Sequence, residues 1–364
     1  MYFFQSFALL SLLCFFFSVF QIQKRSTVGA ICFFYMAMSG LVTMFYPELL
    51  HTQNPDSLFS IKSMAMTSFI YMTAIFSFIF MARKKTIDLV LTYLSLFAFA
   101  DSFYLIGKWF FGINPYGMML NTSMEGNFLA IMAPIIFFKK RNLGFMDKYP
   151  LLGLIPVVAI IITKSSNGMG GLCLGLLVAV MAMRTAPFKK TPLLVAPVVI
   201  AFVGYLYIGK AMFSDSLRFI CWEWSFDWWY ANASKYFGTG IGTFWGLGPW
   251  IQIKDLAEAC NGATVEQCKR AEFLFQKNNY YTFMHNDWGQ LLFEGGIVGL
   301  LIGAWAFIKS VLGSIGKPWL LSSIAVFAAT SFINMPSRYV LTAVTGACLL
   351  RIATEKFNND SEEL

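Results

Sequence analysis

Residues 280–305 read YYTFMHNDWGQLLFEGGIVGLLIGAW, and the chain passes there from polar to apolar residues within a few positions. From residue 288 onward the stretch is apolar for about 20 residues, which is the length that a helix needs to cross the hydrocarbon of a bilayer. Gly295, Gly299 and Gly303 recur every four residues and predict a small-residue face for close packing against another helix. The stretch therefore predicts a membrane span that follows a polar segment.

The composition extends this prediction to the whole chain. Of its 364 residues 57% are hydrophobic and 13% are charged, and the mean hydropathy is +0.62. A water-soluble domain could not bury this much apolar surface, so the predicted solvent is lipid. We expect an all-α polytopic membrane protein with about 11 transmembrane helices, within a range of about 10–12. The predicted spans lie near residues 2–20, 28–46, 64–82, 87–107, 126–138, 150–163, 168–184, 192–212, 288–308, 319–335 and 338–351.

The basic residues predict the orientation of these spans. The net charge is +8, but Lys and Arg fall in small groups between apolar runs, which argues against nucleic acid as a partner. Each loop after an odd-numbered span carries at least two basic residues, beginning with Lys24 and Arg25. The short loops after even-numbered spans carry one each, so the positive-inside rule assigns the odd-numbered loops to the cytoplasm. The single cations of the outer loops are Lys62, Lys108, Lys164 and Arg338.

One long hydrophilic segment follows the eighth span and is therefore predicted to lie outside the cytoplasm. The predicted organisation is eight spans in residues 1–209, a large outer loop at 210–287, three spans in 288–351 and a cytoplasmic tail at 352–364. Cys260 and Cys268 of the outer loop form either a local disulfide or two thiols in that compartment. We expect the chemistry of the protein on this outer face.

The outer loop opens with an amphipathic aromatic pattern. Phe219, Trp222, Phe226 and Trp229 recur at helical spacing beside polar side chains, which predicts a helix that lies in the membrane interface. Such a helix either anchors the loop or lines the route by which a lipid substrate enters. Arg218, at its start, would then be placed to meet phosphate.

A run of glycines follows this aromatic segment. Residues 237–248 read FGTGIGTFWGLG, and their glycines allow the backbone to approach another backbone or a ligand closely. The run is not a P-loop, because no Gly-Lys-Ser/Thr follows, and it is not set between a strand and a helix as a dinucleotide fingerprint is. Taken alone, the run indicates close approach without naming a ligand.

His285, one of two histidines, stands just before the predicted ninth span. A histidine at a helix start either caps the helix or, where water and lipid head groups both reach it, serves as a titratable catalytic group. Asn286 and Asp287 add polar groups at the same place. Ionisable residues inside a membrane are costly, so Glu294 and, in the fourth span, Asp101 are candidate functional residues, with a helix-bridging role equally open for Asp101.

The spacing of these residues resembles a known signature. His285 and Asn286 are followed after nine residues by Gly296 and after two more by Gly299, which is similar to the motif of the bacterial O-antigen ligases and the related protein O-oligosaccharyltransferases. Upstream, an Arg, a Trp four residues later and a Gly-x-Gly segment also resemble this superfamily. Those positions are Arg218, Trp222 and Gly240-Ile241-Gly242.

The resemblance implies a GT-C-like glycosyltransferase architecture in the bacterial inner membrane, with the active site facing the periplasm. It implies transfer of an undecaprenyl-pyrophosphate-linked glycan to an acceptor hydroxyl, as in O-antigen ligation to lipid A core. His285 would orient or deprotonate the acceptor hydroxyl, and Arg218 would bind phosphate. Further candidates for substrate binding are Arg338, Lys164, Asn286, Asp287 and Trp222.

Several alternatives stay open at this point. The acceptor could equally be a growing glycan, as for an O-antigen polymerase, or a pilin or other protein. A transporter or flippase would also be a bundle of spans, but such proteins tend to carry inverted repeats and broken helices, which the sequence does not show. A non-catalytic scaffold would explain the composition but not the ordered motifs. We predict no cofactor and no metal, because one useful histidine and dispersed carboxylates do not form a ligand set.

Overall fold

The computed structural model is all-helical, with no strand in the part of the chain that it describes. The described residues are 18–45, 69–114, 117–119, 121–138, 150–183, 216–244, 247–248, 251–252, 284–334, 337 and 339–355. The predicted span at 192–212, most of the span at 2–20, Arg338, the cysteines Cys260 and Cys268 and the tail after residue 355 lie outside them.

The described helices fall on the predicted elements. Helices α2 to α7 and α9 to α11 coincide with predicted spans to within a few residues, and α8 coincides with the predicted amphipathic helix. In chain order they are α1 (18–25), α2 (Thr27–Phe45), α3 (Phe69–Met81), α4 (Lys84–Phe110), α5 (Thr122–Phe138), α6 (Leu154–Thr163), α7 (Ser166–Met183), α8 (Ser216–Asn232), α9 (Asp287–Ser314), α10 (Pro318–Ile333) and α11 (Val340–Thr354).

Two described helices, α4 and α9, are long and apolar enough to cross a membrane by length and composition. The other apolar helices in the described ranges are shorter. A helix of about 20 residues spans the hydrocarbon, and shorter ones do so where the bilayer thins or flanking side chains snorkel. The fold is thus compatible with a helical membrane protein.

Helix α9 is broken at Gly296, whose φ of 63° and ψ of −167° are not helical. A Cβ placed on Gly303 would lie 2.5 Å from the side chain of Leu291, although residues twelve apart in a straight helix are separated by about 18 Å. The chain therefore folds back at Gly296, and the prediction of one unbroken span at 288–308 is wrong. Residues 297–314, about 27 Å long as a helix, could still cross the bilayer alone.

The chain divides into two compact units. Unit 1 comprises residues 1–31, 75–214 and 305–364, and unit 2 comprises residues 32–74 and 215–304. The helix bundle α4 to α7 with α10 and α11 belongs to unit 1, whereas α8 and the first part of α9 belong to unit 2.

Helix α5 forms the centre of unit 1. Its residues are buried from Glu125 to Ile136 on every face, as expected for a largely apolar helix that is surrounded by others. Helices α7 and α10 approach closely through glycine: a Cβ on Gly175 would lie 2.8 Å from the carbonyl oxygen of Ser322. Small residues at helix contacts allow this close backbone packing when lipid supplies no hydrophobic driving force.

Replacing Gly168 of α7 with alanine should destabilise unit 1 by about 1–3 kcal/mol, because the new Cβ would lie 2.5 Å from the carbonyl oxygen of Gly126 on α5. Gly107 of α4 is a matched helical control with no atom within 4 Å of its Cβ position. Gly107→Ala should instead stabilise by about 0.5–1 kcal/mol, since alanine is the better helix former. Thermal unfolding in detergent compares the two variants, and equal midpoints would contradict the packing of α5 on α7.

Helix ends from three of the predicted cytoplasmic loops meet at one end of unit 1. The hydroxyls of Ser26, between α1 and α2, and Thr354, at the end of α11, are 2.8 Å apart. The guanidinium of Arg25 donates to the carbonyl of Ala82, between α3 and α4. The geometry therefore places these three helix ends together at one end of unit 1, and their cytoplasmic orientation stays a prediction.

Candidate functional site

Helix α8 of unit 2 buries one face in an aromatic core. Trp229 is 8% exposed and Trp222 and Phe226 are half-buried, whereas Glu223 and Asp227 are exposed. Helix α8 is thus amphipathic and packs its apolar face on protein, while its predicted place in the membrane interface stays a prediction. Trp229 belongs to a buried core on this face of α8. The core consists of Trp229, Phe244, Leu247, Ile251, Met284 and Phe293.

Aromatic contacts join α8 to the first part of α9. The ring of Trp228 stacks on that of Phe293 with centroids 5.7 Å apart, and Phe244 meets the same ring edge-on at 5.0 Å. Such pairs add to the stabilisation that area burial alone provides. The aromatic side chains of α8 thus pack against Met284 and Phe293, which lie on either side of position 285.

Trp222 contacts the backbone next to His285. Its indole N–H donates to the carbonyl of Met284, the residue directly before the histidine. The indole N–H of Trp222 is therefore bonded to the backbone next to His285, and the predicted role of Trp222 in substrate binding stays a prediction.

His285 itself adopts a left-handed backbone conformation, with φ of 51°. For a residue with a Cβ this conformation is unfavourable by about 1–2 kcal/mol and persists only where surrounding contacts enforce it. The side chain is half-buried. The turn therefore directs a half-exposed imidazole from the start of α9, in a geometry that the fold maintains against a local cost.

Asn286 caps α9. Its Oδ1 accepts the N–H of Gly289 at 2.8 Å, which satisfies one of the amides that a helix start leaves without an intrahelical partner. Asp287 follows in the first turn, where a carboxylate is favoured by the helix dipole. These two candidates thus have a structural role at the helix start beside the histidine.

A buried polar chain runs behind His285. The amide N–H of Met284 donates to Oε1 of Gln290 at 3.4 Å, and Nε2 of Gln290 donates to Oε1 of Glu294 at 2.8 Å. The same carboxylate oxygen accepts the amide of Phe244 at 3.2 Å. Glu294 is 1% exposed, so it links the histidine turn to the glycine-rich segment from inside the unit.

The glycine-rich segment bonds to the break in α9. Thr239 and Gly240 donate their amides to the carbonyls of Phe293 and Glu294 at 3.1 and 2.7 Å. Beyond the break, the amide of Ile297 donates to the backbone carbonyl of Lys235 at 2.9 Å. The amide of Val298 donates to the backbone carbonyl of Tyr236 at 3.1 Å. Backbone groups that a break would leave without partners are thereby satisfied by protein.

Glycine is required on both sides of this contact. A Cβ on Gly296 would lie 2.6 Å from the amide nitrogen of Gly238, and a Cβ on Gly238 would lie 2.6 Å from the amide nitrogen of Gly296. Both residues have φ near +65°, at 63° and 67°, which glycine adopts without penalty. The close approach that the sequence predicted for this segment is thus made to another part of the chain.

Helix α2 also contacts α9 and the glycine-rich segment. The hydroxyl of Tyr35 donates to the carbonyl of Gly295 at 2.7 Å and lies against the glycine face of α9. The hydroxyl of Ser39 accepts the amide of Ile241 at 2.9 Å. Gly295 and Gly299 are therefore packing residues, as the sequence predicted, and their partner is a tyrosine more than 250 positions earlier.

The other predicted site residues have varied placements. Arg218 lies in the first turn of α8, and its side chain is outside the described part of the structure. Lys164 belongs to unit 1, where it is exposed and ends α6 in a left-handed turn with φ of 56°. Asp101 is also in unit 1 and is fully buried. The structure brings together Trp222, Gly240, His285 and Asn286 in unit 2.

Sequence reasoning missed Gln290 and Lys235. Gln290 stands four residues before Glu294, and this spacing on one helix face is the signal that could have indicated the pair. The ammonium of Lys235 lies 5.0 Å from the ring centroid of Trp229 and bonds to the last carbonyls of α8. Lys235 therefore neutralises the end of the α8 dipole next to the glycine-rich segment.

Glu294→Ala should destabilise the protein by about 1–3 kcal/mol, because it leaves the buried amides of Phe244 and Gln290 without their acceptor. Glu223→Ala, which removes an exposed carboxylate of α8, should stay within about 0.5 kcal/mol of the wild type. Thermal unfolding in detergent measures both. A Glu294→Ala midpoint equal to that of Glu223→Ala would contradict the polar chain.

Within the described ranges no group of three His, Cys, Asp or Glu side chains is arranged to hold a metal ion. What unit 2 provides is a half-buried histidine on a left-handed turn, a capped helix start and an aromatic core beside them. These groups suit a reaction in which one proton is moved or one hydroxyl is oriented. Comparison with protein-family models and with curated proteins gives no match, so any assignment of function rests on these residues and their geometry.

Proposed function

We propose that this chain is a glycosyltransferase of the inner membrane that moves a glycan from undecaprenyl pyrophosphate to an acceptor hydroxyl on the periplasmic face. Lipid A core is the first candidate acceptor, as in O-antigen ligation. The transfer belongs to the outer side because the loop that carries His285 follows an even-numbered predicted span.

The observation that carries this proposal is the meeting of three separate motifs in unit 2. Trp222 bonds to the residue before His285, and Gly240 bonds to the helix that His285 begins. These positions are spread over more than 60 residues of sequence and are the ones in which the chain resembles the O-antigen ligases. Residues that serve one site must lie close together, and these do.

The strained turn at His285 is a second support. Residues held in unfavourable backbone conformations cluster at ligand and catalytic sites, where the surrounding fold enforces them. Here the enforcing contacts are the indole of Trp222 and the amide side chain of Gln290, both bonded to Met284. The fold thus fixes the backbone from which the imidazole extends.

The chemistry that these residues would perform is modest. The acceptor oxygen forms a bond to the anomeric carbon while the bond from that carbon to the pyrophosphate oxygen breaks, and the configuration inverts. His285 takes the hydroxyl proton or orients the hydroxyl, a role worth on the order of 10² to 10⁴ in rate. Undecaprenyl pyrophosphate leaves as an anion, and Arg218 neutralises its charge.

The broken helix bears on the transporter alternative. Transporters use breaks in helices to expose backbone groups to a substrate or ion, and the sequence argument against a transporter assumed that no break exists. The break at Gly296 removes that part of the argument. Its flanking carbonyls at Phe293 and Glu294 are nevertheless bonded to the amides of residues 239 and 240, so they face protein.

Deletion of the protein in its native cells distinguishes the two functions. Loss of a transferase should leave the lipid-linked glycan accumulating on the outer face, where an added glycosidase or lectin reaches it in spheroplasts. Loss of a flippase should leave the same glycan on the inner face, accessible only after lysis. Accumulation on the inner face would overturn the proposal, and the missing glycoconjugate identifies the acceptor as lipid A core, a longer glycan or a protein.

A further inference from the structure

Asp101 of α4 and Glu125 of α5 form a carboxyl pair inside unit 1. Both side chains are 0% exposed, and they accept the amides of two consecutive residues, Met118 and Met119, which brings the two carboxyl groups together. The sequence indicated Asp101 as a candidate, whereas Glu125 precedes the predicted fifth span and was not singled out. The pair lies outside the unit that carries His285 and is independent of the proposed function.

One oxygen of each carboxyl group accepts a hydrogen bond from a short segment between α4 and α5. The amide of Met118 donates to Oδ1 of Asp101 at 3.0 Å, and the amide of Met119 donates to Oε2 of Glu125 at 2.9 Å. The residue before them packs directly on the pair, since a Cβ on Gly117 would lie 2.5 and 2.6 Å from the two Glu125 oxygens. The pair therefore fixes residues 117–119.

The other two oxygens, Oδ2 of Asp101 and Oε1 of Glu125, are buried without a hydrogen-bond partner among the described residues. Burying an acceptor without a donor is costly, and burying two charged carboxylates in contact is more so. A single proton between them removes one charge and gives each remaining oxygen a partner. Paired carboxyl groups in apolar surroundings share a proton for the same reason.

We propose that Asp101 and Glu125 form a proton-binding site that holds one proton between Oδ2 of Asp101 and Oε1 of Glu125. The shared proton fastens residues 117–119 to both helices. Lys108 is near enough for its positive charge to act on Glu125. Its Nζ lies 5.2 Å from the ring centroid of Tyr104. Its positive charge offsets the one negative charge that the singly protonated pair retains.

Amide substitutions test this arrangement because a carboxamide imitates a protonated carboxyl. In Glu125→Gln the side-chain oxygen accepts from Met119 and the NH₂ group donates to Asp101, and Asp101→Asn is the mirror case. Each single variant should keep the wild-type unfolding midpoint in detergent at neutral pH. The double variant sets two NH₂ groups against each other, so its midpoint should fall by far more than the sum of the two single changes.

The pH dependence provides a second readout. In the unfolded chain both carboxyls are ionised at neutral pH, so the folded state binds one more proton and its stability should fall as the pH rises. The wild type should therefore lose several degrees of midpoint at alkaline pH relative to Glu125→Gln. Asp227→Asn, an exposed acid of α8, is the control and should follow the wild type at every pH.

Any of three results would overturn the proposal. If Glu125→Gln and Asp101→Asn each lower the midpoint at neutral pH as much as their alanine variants, and Lys108→Gln does the same, the pair is fully ionised and balanced by Lys108. If the double variant is additive with the singles, no proton joins the two groups. A midpoint that rises with sodium concentration in the wild type but not in Glu125→Gln would replace the proton by a metal cation and likewise contradict the proposal.

Discussion

Replacing His285 with glycine should lower glycan transfer by about 10² or more while leaving thermal stability within about 1 kcal/mol of the wild type or above it. The two effects separate because the histidine has a φ of 51°, where glycine has no Cβ penalty. Trp222 and Gln290 hold Met284 through its backbone, so their bonds do not depend on the imidazole. Initial rates of transfer and unfolding midpoints of the same preparations measure both quantities.

Two controls sharpen this test. His51→Ala removes the only other histidine and should leave the rate of transfer near that of the wild type. His285→Asn keeps a residue that tolerates the left-handed conformation but lacks the basicity of imidazole, and it should be as inactive as the glycine variant. Transfer at the wild-type rate by His285→Gly would remove the histidine from the mechanism, and collapse of its stability would show that the imidazole is structural.

Gly296→Ala should destabilise unit 2 by on the order of 3 kcal/mol or more and abolish transfer with it. The added Cβ would lie 2.6 Å from the amide nitrogen of Gly238, and the φ of 63° is unfavourable for alanine. Neither of the two backbone segments can move away without losing the hydrogen bonds between residues 235–240 and α9. Unfolding in detergent, followed by tryptophan fluorescence because four tryptophans lie in α8, reports on this unit.

Gly316 separates conformational strain from steric clash in this prediction. It has a φ of 84° but no atom within 4 Å of its Cβ position. Gly316→Ala should therefore cost only the strain, about 1 kcal/mol. Equal costs for Gly296→Ala and Gly316→Ala would mean that the backbone contact between residues 235–240 and α9 does not form.

Local pattern was sufficient to predict much of this fold. The apolar runs predicted helices because their length and composition depend only on neighbouring residues, and the alternation of Trp222, Phe226 and Trp229 with polar residues predicted the buried face of α8. The polar residues at the start of α9 likewise indicated a helix start, and Asn286 caps it. Each of these features is fixed within about two helical turns of sequence.

The break in α9 could not be predicted in the same way. Gly296 stands in an apolar run that also contains Gly295 and Gly299, and all three are compatible with a continuous helix. What opens the helix at Gly296 is a set of bonds to residues 235–240, some 60 positions away. Contacts at such separation leave no periodic signal in the sequence. The same holds for Tyr35, whose partner Gly295 is far away in the sequence, and for Glu125, whose partner Met119 is not in a helix.

The most direct test of the central claim uses the purified protein reconstituted in sealed lipid vesicles. Lipid-linked glycan extracted from cells that lack the protein is supplied as donor, with lipid A core, a glycan and a pilin-type protein offered in separate reactions. The account predicts that one acceptor gains glycan mass, that undecaprenyl pyrophosphate is released in equal amount, and that His285→Gly does neither. Absence of transfer to every acceptor by wild-type protein that remains folded, together with movement of the intact donor across the bilayer, would contradict it.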